Sequence, residues 1–169
     1  MPSFIGWVPT PPECVDGFFE LITLSPSDVV YDLGSGDGRL LFAALAKGAG
    51  RVVGVDLDPE LVQQARETAR IKGMADRANF IESDVLDVNL AEATLVLCYL
   101  YPTASEELRA KFESELRPGA RVVIESFYID EWESVRSIDK GGKSFFLYVM
   151  PPQPRKRFRL HLVDFEGFT

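Results

Sequence analysis

Three stretches of this chain, Val29–Gly34, Arg51–Asp56 and Thr94–Leu100, are apolar nearly throughout and show no polar alternation. Strands of that kind need cover on both faces, as in parallel sheets flanked by helices. Helical segments supply the cover. "TPPECVDGFFEL" reads as a helix with Thr10 as N-cap, Pro11 at its first position, Glu13 completing a capping box, and Val15, Phe18, Phe19 and Ile22 on one face. "RLLFAALAKG" is a short helix closed by Gly48, and "DPELVQQARETARIKG" one capped by Asp58 and ended by Gly73. "ANFIESD" reads as the next strand. A second capping box, Thr103 and Glu106, opens a helix that buries Leu108, Phe112 and Leu116. "ARVVIESF" follows as a strand, then "SVRSID" and "KSFFLYVM" join through Gly141–Gly142 as an antiparallel addition at one edge. Strand and helix alternate, so the crossovers are right-handed and the sheet is largely parallel. The expected fold is α/β, a Rossmann-like doubly wound sheet with helices on both faces. Residues 1–150 form its domain and 151–169 a proline-rich, basic extension that reads as a linker plus an edge or docking segment.

The turn after the first strand, "DLGSGDGRL", carries the chemistry. Gly34, Gly36 and Gly38 let the backbone turn tightly and approach a ligand. A dinucleotide fingerprint places its third glycine five residues after the first, where this chain has Arg39. A P-loop ending in Gly-Lys-Ser/Thr is absent, and Asp37 inside the loop opposes a pyrophosphate. A ligand with an adenosine but no phosphate resolves the conflict. S-adenosylmethionine is one, and its sulfonium and ammonium favour nearby carboxylates such as Asp32 and Asp37. Asp56 ends the second strand, where a carboxylate accepts both ribose hydroxyls. Asp84 ends the third strand, placed for the adenine amino group, with Val85 against the ring. Open α/β sheets bind ligands at these carboxyl ends.

These residues resemble the seven-stranded, class I S-adenosylmethionine-dependent methyltransferases. "WVPTPPECVDGFFEL", "DVVYDLGSGDGRL", "VGVDLDPELVQQARETA", "EATLVLCYLYP" and "ELRPGARVV" are similar, in order, to the small archaeal and bacterial protein-lysine methyltransferases and to the animal enzymes that methylate a lysine of mitochondrial ATP synthase. The resemblance covers roughly residues 5 to 150. The Val8-Pro9-Thr10 entry and Glu92-Ala93-Thr94 narrow it beyond the superfamily. It implies a strand order of 3-2-1-4-5-7-6. It also implies S-adenosylmethionine contacts at Trp7, Val8, Thr10, Asp32, Gly34, Gly36, Gly38, Asp56, Leu57, Asp84 and Val85. S-adenosylhomocysteine is the implied product.

The fourth strand ends "CYLYP" and lacks the Asn/Asp-Pro-Pro-Tyr tetrad that binds planar amino groups. Tyr99 and Tyr101 instead offer rings to an aliphatic ammonium. After the fifth strand the relatives carry a histidine where this chain has Glu125, which either positions a lysine ammonium or faces solvent. The reading is therefore a protein-lysine N-methyltransferase acting on protein partners. The alternatives are a small-molecule or RNA methyltransferase, or a module that binds the cofactor without turnover. A net charge of −8 argues against a general nucleic-acid binder and suits basic protein targets. Cys14, Cys98 and the single His161 match no metal spacing. There is neither a secretory leader nor a membrane-length apolar run, so a cytoplasmic protein is expected.

Overall fold

The structure, a computed structural model, describes residues 9–99 and 105–155. Its strands are β1 (Val29–Leu33), β2 (Arg51–Asp56), β3 (Ala78–Glu82), β4 (Leu95–Tyr99), β5 (Arg121–Glu125), β6 (Trp132–Glu133), β7 (Arg136–Lys140), β8 (Lys143–Val149) and β9 (Gln153–Pro154). Seven of them form the main sheet, in the order β3-β2-β1-β4-β5-β8-β7. β1 to β5 run parallel, and β8 and β7 close the edge antiparallel through the Gly141–Gly142 turn. The expected doubly wound, Rossmann-like order is therefore the observed one. A small second pairing joins β6 to β9. Two residues per strand leave no periodicity to read, and the three prolines of the tail point to a break rather than a pairing.

Successive residues of each strand feed opposite cores. Val30, Val52, Leu95, Leu97, Val123, Phe145 and Leu147 pack with α1 (Pro12–Glu20), α2 (Arg39–Ala46) and α3 (Pro59–Ile71). Tyr31, Val53, Val55, Val96, Val122, Ile124 and Tyr148 pack on the other face with α4 (Ser105–Glu115), whose Leu108 and Phe112 are buried as expected, together with Leu116 just beyond it. The capping residue expected for α4, Thr103, lies outside the described residues. No helix among the described residues is long and apolar enough to cross a membrane.

Helix α1 starts one residue later than its capping box predicts. Pro11, with φ −61° and ψ 150°, is the N-cap and Pro12 occupies the first turn. A residue before proline is driven out of the helical region by the proline ring, so the second of two prolines sets the start. The Thr10 hydroxyl caps nothing, and the Thr10 carbonyl instead accepts from Arg39 Nη1 at 3.0 Å. α1 also leans on the far end of the chain. A Cβ on Gly17 would lie 2.3 Å from Phe145 Cε2, Cys14 Sγ sits 3.9 Å from the Gly141 carbonyl, and Lys140 pairs with Glu20.

The amino edge of the sheet is clamped by Asp28. Its carboxylate accepts from Arg121 Nη2 (2.6 Å), the Thr94 hydroxyl (2.7 Å) and the Ser25 amide (2.8 Å). Thr94 Oγ1 in turn accepts from the Val29 amide, and Glu92 pairs with Arg51. Glu92-Ala93-Thr94 is thus a structural device, at the opposite end of the sheet from the glycine loop. Burial alone would raise the Asp28 pKa, but the three donors hold it below the ordinary carboxylate value.

Candidate active site

At the carboxyl edge the glycine loop folds over the end of β2. The amides of Gly34 and Ser35 both donate to the Val55 carbonyl, at 2.8 and 3.0 Å, and the Gly36 amide donates to Asp56 Oδ2 at 2.8 Å. Gly34, Gly36 and Gly38 have φ of 87°, 53° and 83°, a region L side chains rarely enter. The surroundings of two of them differ. A Cβ on Gly38 would meet the Phe80 ring at 2.8 Å, whereas one on Gly34 would meet nothing within 4 Å. Gly38 is needed for packing, and Gly34 opens onto free space above the strand ends.

Asp37 does not present a bare charge to that space. Arg39 grips it with two bonds, Nε to Oδ1 at 3.0 Å and Nη2 to Oδ2 at 2.7 Å, while its third nitrogen holds the Thr10 carbonyl. The expectation that Asp37 repels anionic ligands is therefore corrected. Its charge is answered within the loop, by the arginine that stands where a dinucleotide fingerprint has glycine. The bond to Thr10 also ties the entrance of α1 to the loop.

Asp32 is buried at this edge, 3% exposed. No described residue donates a hydrogen bond to its carboxylate. Burial, reinforced by Asp56 and Asp37, pushes its pKa up to about 8. In the loop, Ser35 Oγ is buried against Gly54 of β2 and has no partner among the described residues. A buried carboxyl and a buried hydroxyl without partners among the described residues leave hydrogen-bonding capacity unspent at this edge.

Asp56 accepts from the Gly36 amide through Oδ2 and from the Asp58 amide through Oδ1. Each oxygen keeps a lone pair for a further donor. Asp58 caps α3 by accepting from the Glu60 and Leu61 amides, as expected. Leu57 beside it is 68% exposed, an apolar side chain with no packing role. Asp84 is exposed and accepts from the Leu86 amide at 2.9 Å, which shapes the turn that carries half-buried Val85. The carboxyl ends of β1, β2 and β3 thus bring Asp32, Gly34, Gly36, Asp56, Leu57, Asp84 and Val85 to one edge. Trp7, Val8 and Tyr101 lie outside the described residues.

The ends of β4 and β5 form a second cluster. Tyr99 and Glu125 are register partners on adjacent parallel strands. Glu125 is 5% exposed, so it does not face solvent. Lys143, from the start of β8, reaches across to it with Nζ 3.4 Å from Oε1, and the same Nζ lies 5.7 Å from the centre of the Tyr99 ring. Ser126, next in the chain, has φ 71°, an uncommon conformation for a residue with a side chain. Sequence reasoning missed Lys143. It lies eighteen residues past Glu125 and beyond a hairpin, and only the antiparallel register of β8 on β5 brings it back.

The profile described as the ANTKMT methyltransferase domain matches residues 32–136, from Asp32 to the start of β7. A protein-lysine N-methyltransferase of Saccharolobus islandicus is 33% identical over 148 residues, 86% of this chain and 92% of that protein. An adenine nucleotide translocase lysine N-methyltransferase of Mus musculus is 33% identical over 79% of this chain, which spans 58% of that enzyme. Among solved structures, an RNA methyltransferase from Salinibacter ruber in complex with S-adenosyl-L-homocysteine superposes with a TM-score of 0.82. It is 37% identical and covers 89% of this chain and 98% of its own. Asp32, which has no donor among the described residues, and the open face of Gly34 fit the cationic, phosphate-free ligand these enzymes use. The chain belongs to the S-adenosylmethionine-dependent methyltransferases, in the ANTKMT methyltransferase-domain family.

Proposed function

We propose that the protein transfers methyl groups from S-adenosylmethionine to lysine side chains of other proteins. The observation that carries this reading is the cluster at the ends of β4 and β5. There a tyrosine ring and a buried glutamate hold an alkylammonium, in a chain without the tetrad for planar amines. The near full-length likeness to a protein-lysine enzyme supports it. The 37% identical structure described as an RNA methyltransferase favours an RNA substrate. The net charge of −8 speaks against that, because RNA binding draws on basic surface.

In this reading Asp56 accepts the ribose hydroxyls and Asp84 the adenine amino group, with Leu57 and Val85 against the ring. Asp32, Gly34 and Gly36 receive the methionine end beneath Trp7, Val8 and Thr10, and Gly38 keeps the loop on Phe80. The cofactor supplies the electrophilic methyl carbon, so the protein contributes alignment and exclusion of water. A lysine with an ordinary pKa of about 10.4 must lose its proton before it attacks. Glu125 and Tyr99, with Tyr101, orient the incoming amine. Desolvation beside a sulfonium favours its neutral form, and no side chain is assigned as an obligatory base. The acidic surface attracts lysine-rich targets, an effect that weakens with salt. We place the protein in the cytoplasm, in keeping with two free, buried cysteines.

The test is incubation with methyl-labelled cofactor and a cell lysate, with protease and nuclease controls, then peptide mapping by mass spectrometry. Label on lysine is the expected outcome. Label on RNA alone, or on arginine or glutamine, overturns the lysine assignment and leaves cofactor use intact.

A further inference from the structure

We infer that Lys143 is an internal occupant of the substrate-ammonium site, and that a substrate lysine enters by displacing it. The inference rests on the protein-lysine reading and adds a specificity-determining residue to it.

The geometry carries the argument. Glu125 is buried with a side chain 7% exposed, and a carboxylate in that setting needs a cation beside it. Lys143 Nζ meets this need at 3.4 Å and faces the Tyr99 ring at 5.7 Å. A carboxylate on one side and an aromatic face on the other are the two features that recognise an alkylammonium. Both stand at the carboxyl edge of the sheet, on β4 and β5, and β4 lies next to β1, which carries Asp32. The carboxylate is fixed in place. The Ser126 amide donates to the Ser144 carbonyl at 2.7 Å and the Phe127 amide to the Glu125 carbonyl at 2.9 Å, so the end of β5 is tied to the start of β8.

The two partners differ in freedom. The Lys143 side chain is 41% exposed and swings into water at little cost, whereas Glu125 cannot leave. Entry of a substrate lysine is therefore an exchange of one ammonium for another, with no interval of an unpaired buried carboxylate. A neutral or anionic side chain cannot make that exchange. The pair thus selects for cationic amines and lowers the apparent affinity of every one of them.

The experiment compares steady-state methylation of a lysine-containing peptide by the full chain and by Lys143→Met, which keeps an unbranched side chain one atom shorter and removes its charge. The expected result is a peptide KM three- to tenfold lower, with a smaller change in kcat and a lowered melting temperature, because Glu125 is left without its cation until an ammonium binds. Lys143→Arg, which keeps a cation, retains most of the competition. Glu125→Gln placed on top of Lys143→Met raises KM again. A KM that Lys143→Met leaves unchanged or raises, in an enzyme that does methylate the peptide lysine, overturns this inference alone. A wild-type protein that labels no lysine overturns the functional reading and this inference with it.

Discussion

Asp28 and Asp32 sit just before β1 and within it, four positions apart, and face opposite fates. At the amino edge Asp28 takes donors from three residues, Arg121, Thr94 and Ser25, and its pKa lies below the ordinary value of 3.8. At the carboxyl edge Asp32 takes none from the described residues and its pKa is driven up to about 8. The same edge adds a Ser35 hydroxyl with no partner among the described residues and, two strands away, the uncommon backbone of Ser126. One edge satisfies its polar groups and so stabilises the fold. The other withholds partners, which costs stability and leaves binding capacity for a ligand. The glycine loop belongs to the second edge, while the Glu92-Ala93-Thr94 signature belongs to the first.

The largest effect on stability belongs to the amino edge. Asp28→Ala leaves the half-buried Arg121 guanidinium without its carboxylate, and removing one partner of such a pair costs about 2–4 kcal/mol. Denaturant unfolding measures it. A loss below about 0.5 kcal/mol would show that the clamp is ornamental and break the contrast. Asp32→Asn acts in the opposite sense. It is expected to weaken S-adenosylhomocysteine binding roughly 10- to 100-fold, the scale of a charge-assisted hydrogen bond, while raising the melting temperature at pH 8. Calorimetry and thermal melts read the two separately.

The pH dependence sharpens the same contrast. The folded pKa of Asp28 is depressed, so its contribution is present above its unfolded value near 3.8 and is lost as pH falls below that. The folded pKa of Asp32 is raised, so its contribution is present below 3.8 and is lost as pH climbs through about 8. Acid therefore weakens the amino edge and alkali the carboxyl edge. The stability advantage of Asp32→Asn over wild type should grow by about 2–5 kcal/mol between pH 4 and pH 8. An advantage that stays constant over that range would mean Asp32 is already ionised in the free protein.

Asp56→Ala should weaken cofactor binding by about 1–3 kcal/mol and also loosen the loop, since the Gly36 and Asp58 amides lose their acceptor. Faster hydrogen exchange at Gly36, alongside the weaker dissociation constant, distinguishes this from simple loss of a ribose contact. The smallest change is Arg39→Ala. Its pairing with Asp37 is partly exposed, and its removal should lower stability by about 0.5–1 kcal/mol. It should also restore the repulsion of anions that a bare Asp37 would exert, read as weaker binding of adenosine phosphates.

What is legible in the chain follows the same division. The β1 loop, Asp56, Asp58 and the Gly48 and Gly73 terminators are local, and each declares itself within a few residues. The parallel strands are legible because burial on both faces leaves an unbroken apolar run. The start of α1 is not, because Thr10 and Glu13 satisfy the capping pattern while Pro12, not Pro11, controls the geometry. The charge of the loop is misleading because the partner of Asp37 is Arg39, which in the sequence looks only like a missing glycine. The Glu125–Lys143–Tyr99 cluster is out of reach, since three strands must find their register before the ammonium meets its carboxylate.

The seat of α1 sets a timetable for biosynthesis. Gly17 and Cys14 fit against Phe145 and Gly141, a separation of 127 residues between Cys14 and Gly141. At about 5–20 residues per second a ribosome delivers the hairpin roughly 6–25 s after the helix. Until then Phe18 and Phe19 lack part of their cover. The nascent chain therefore carries an incompletely covered aromatic helix for most of its translation, a target for chaperones that bind exposed apolar segments.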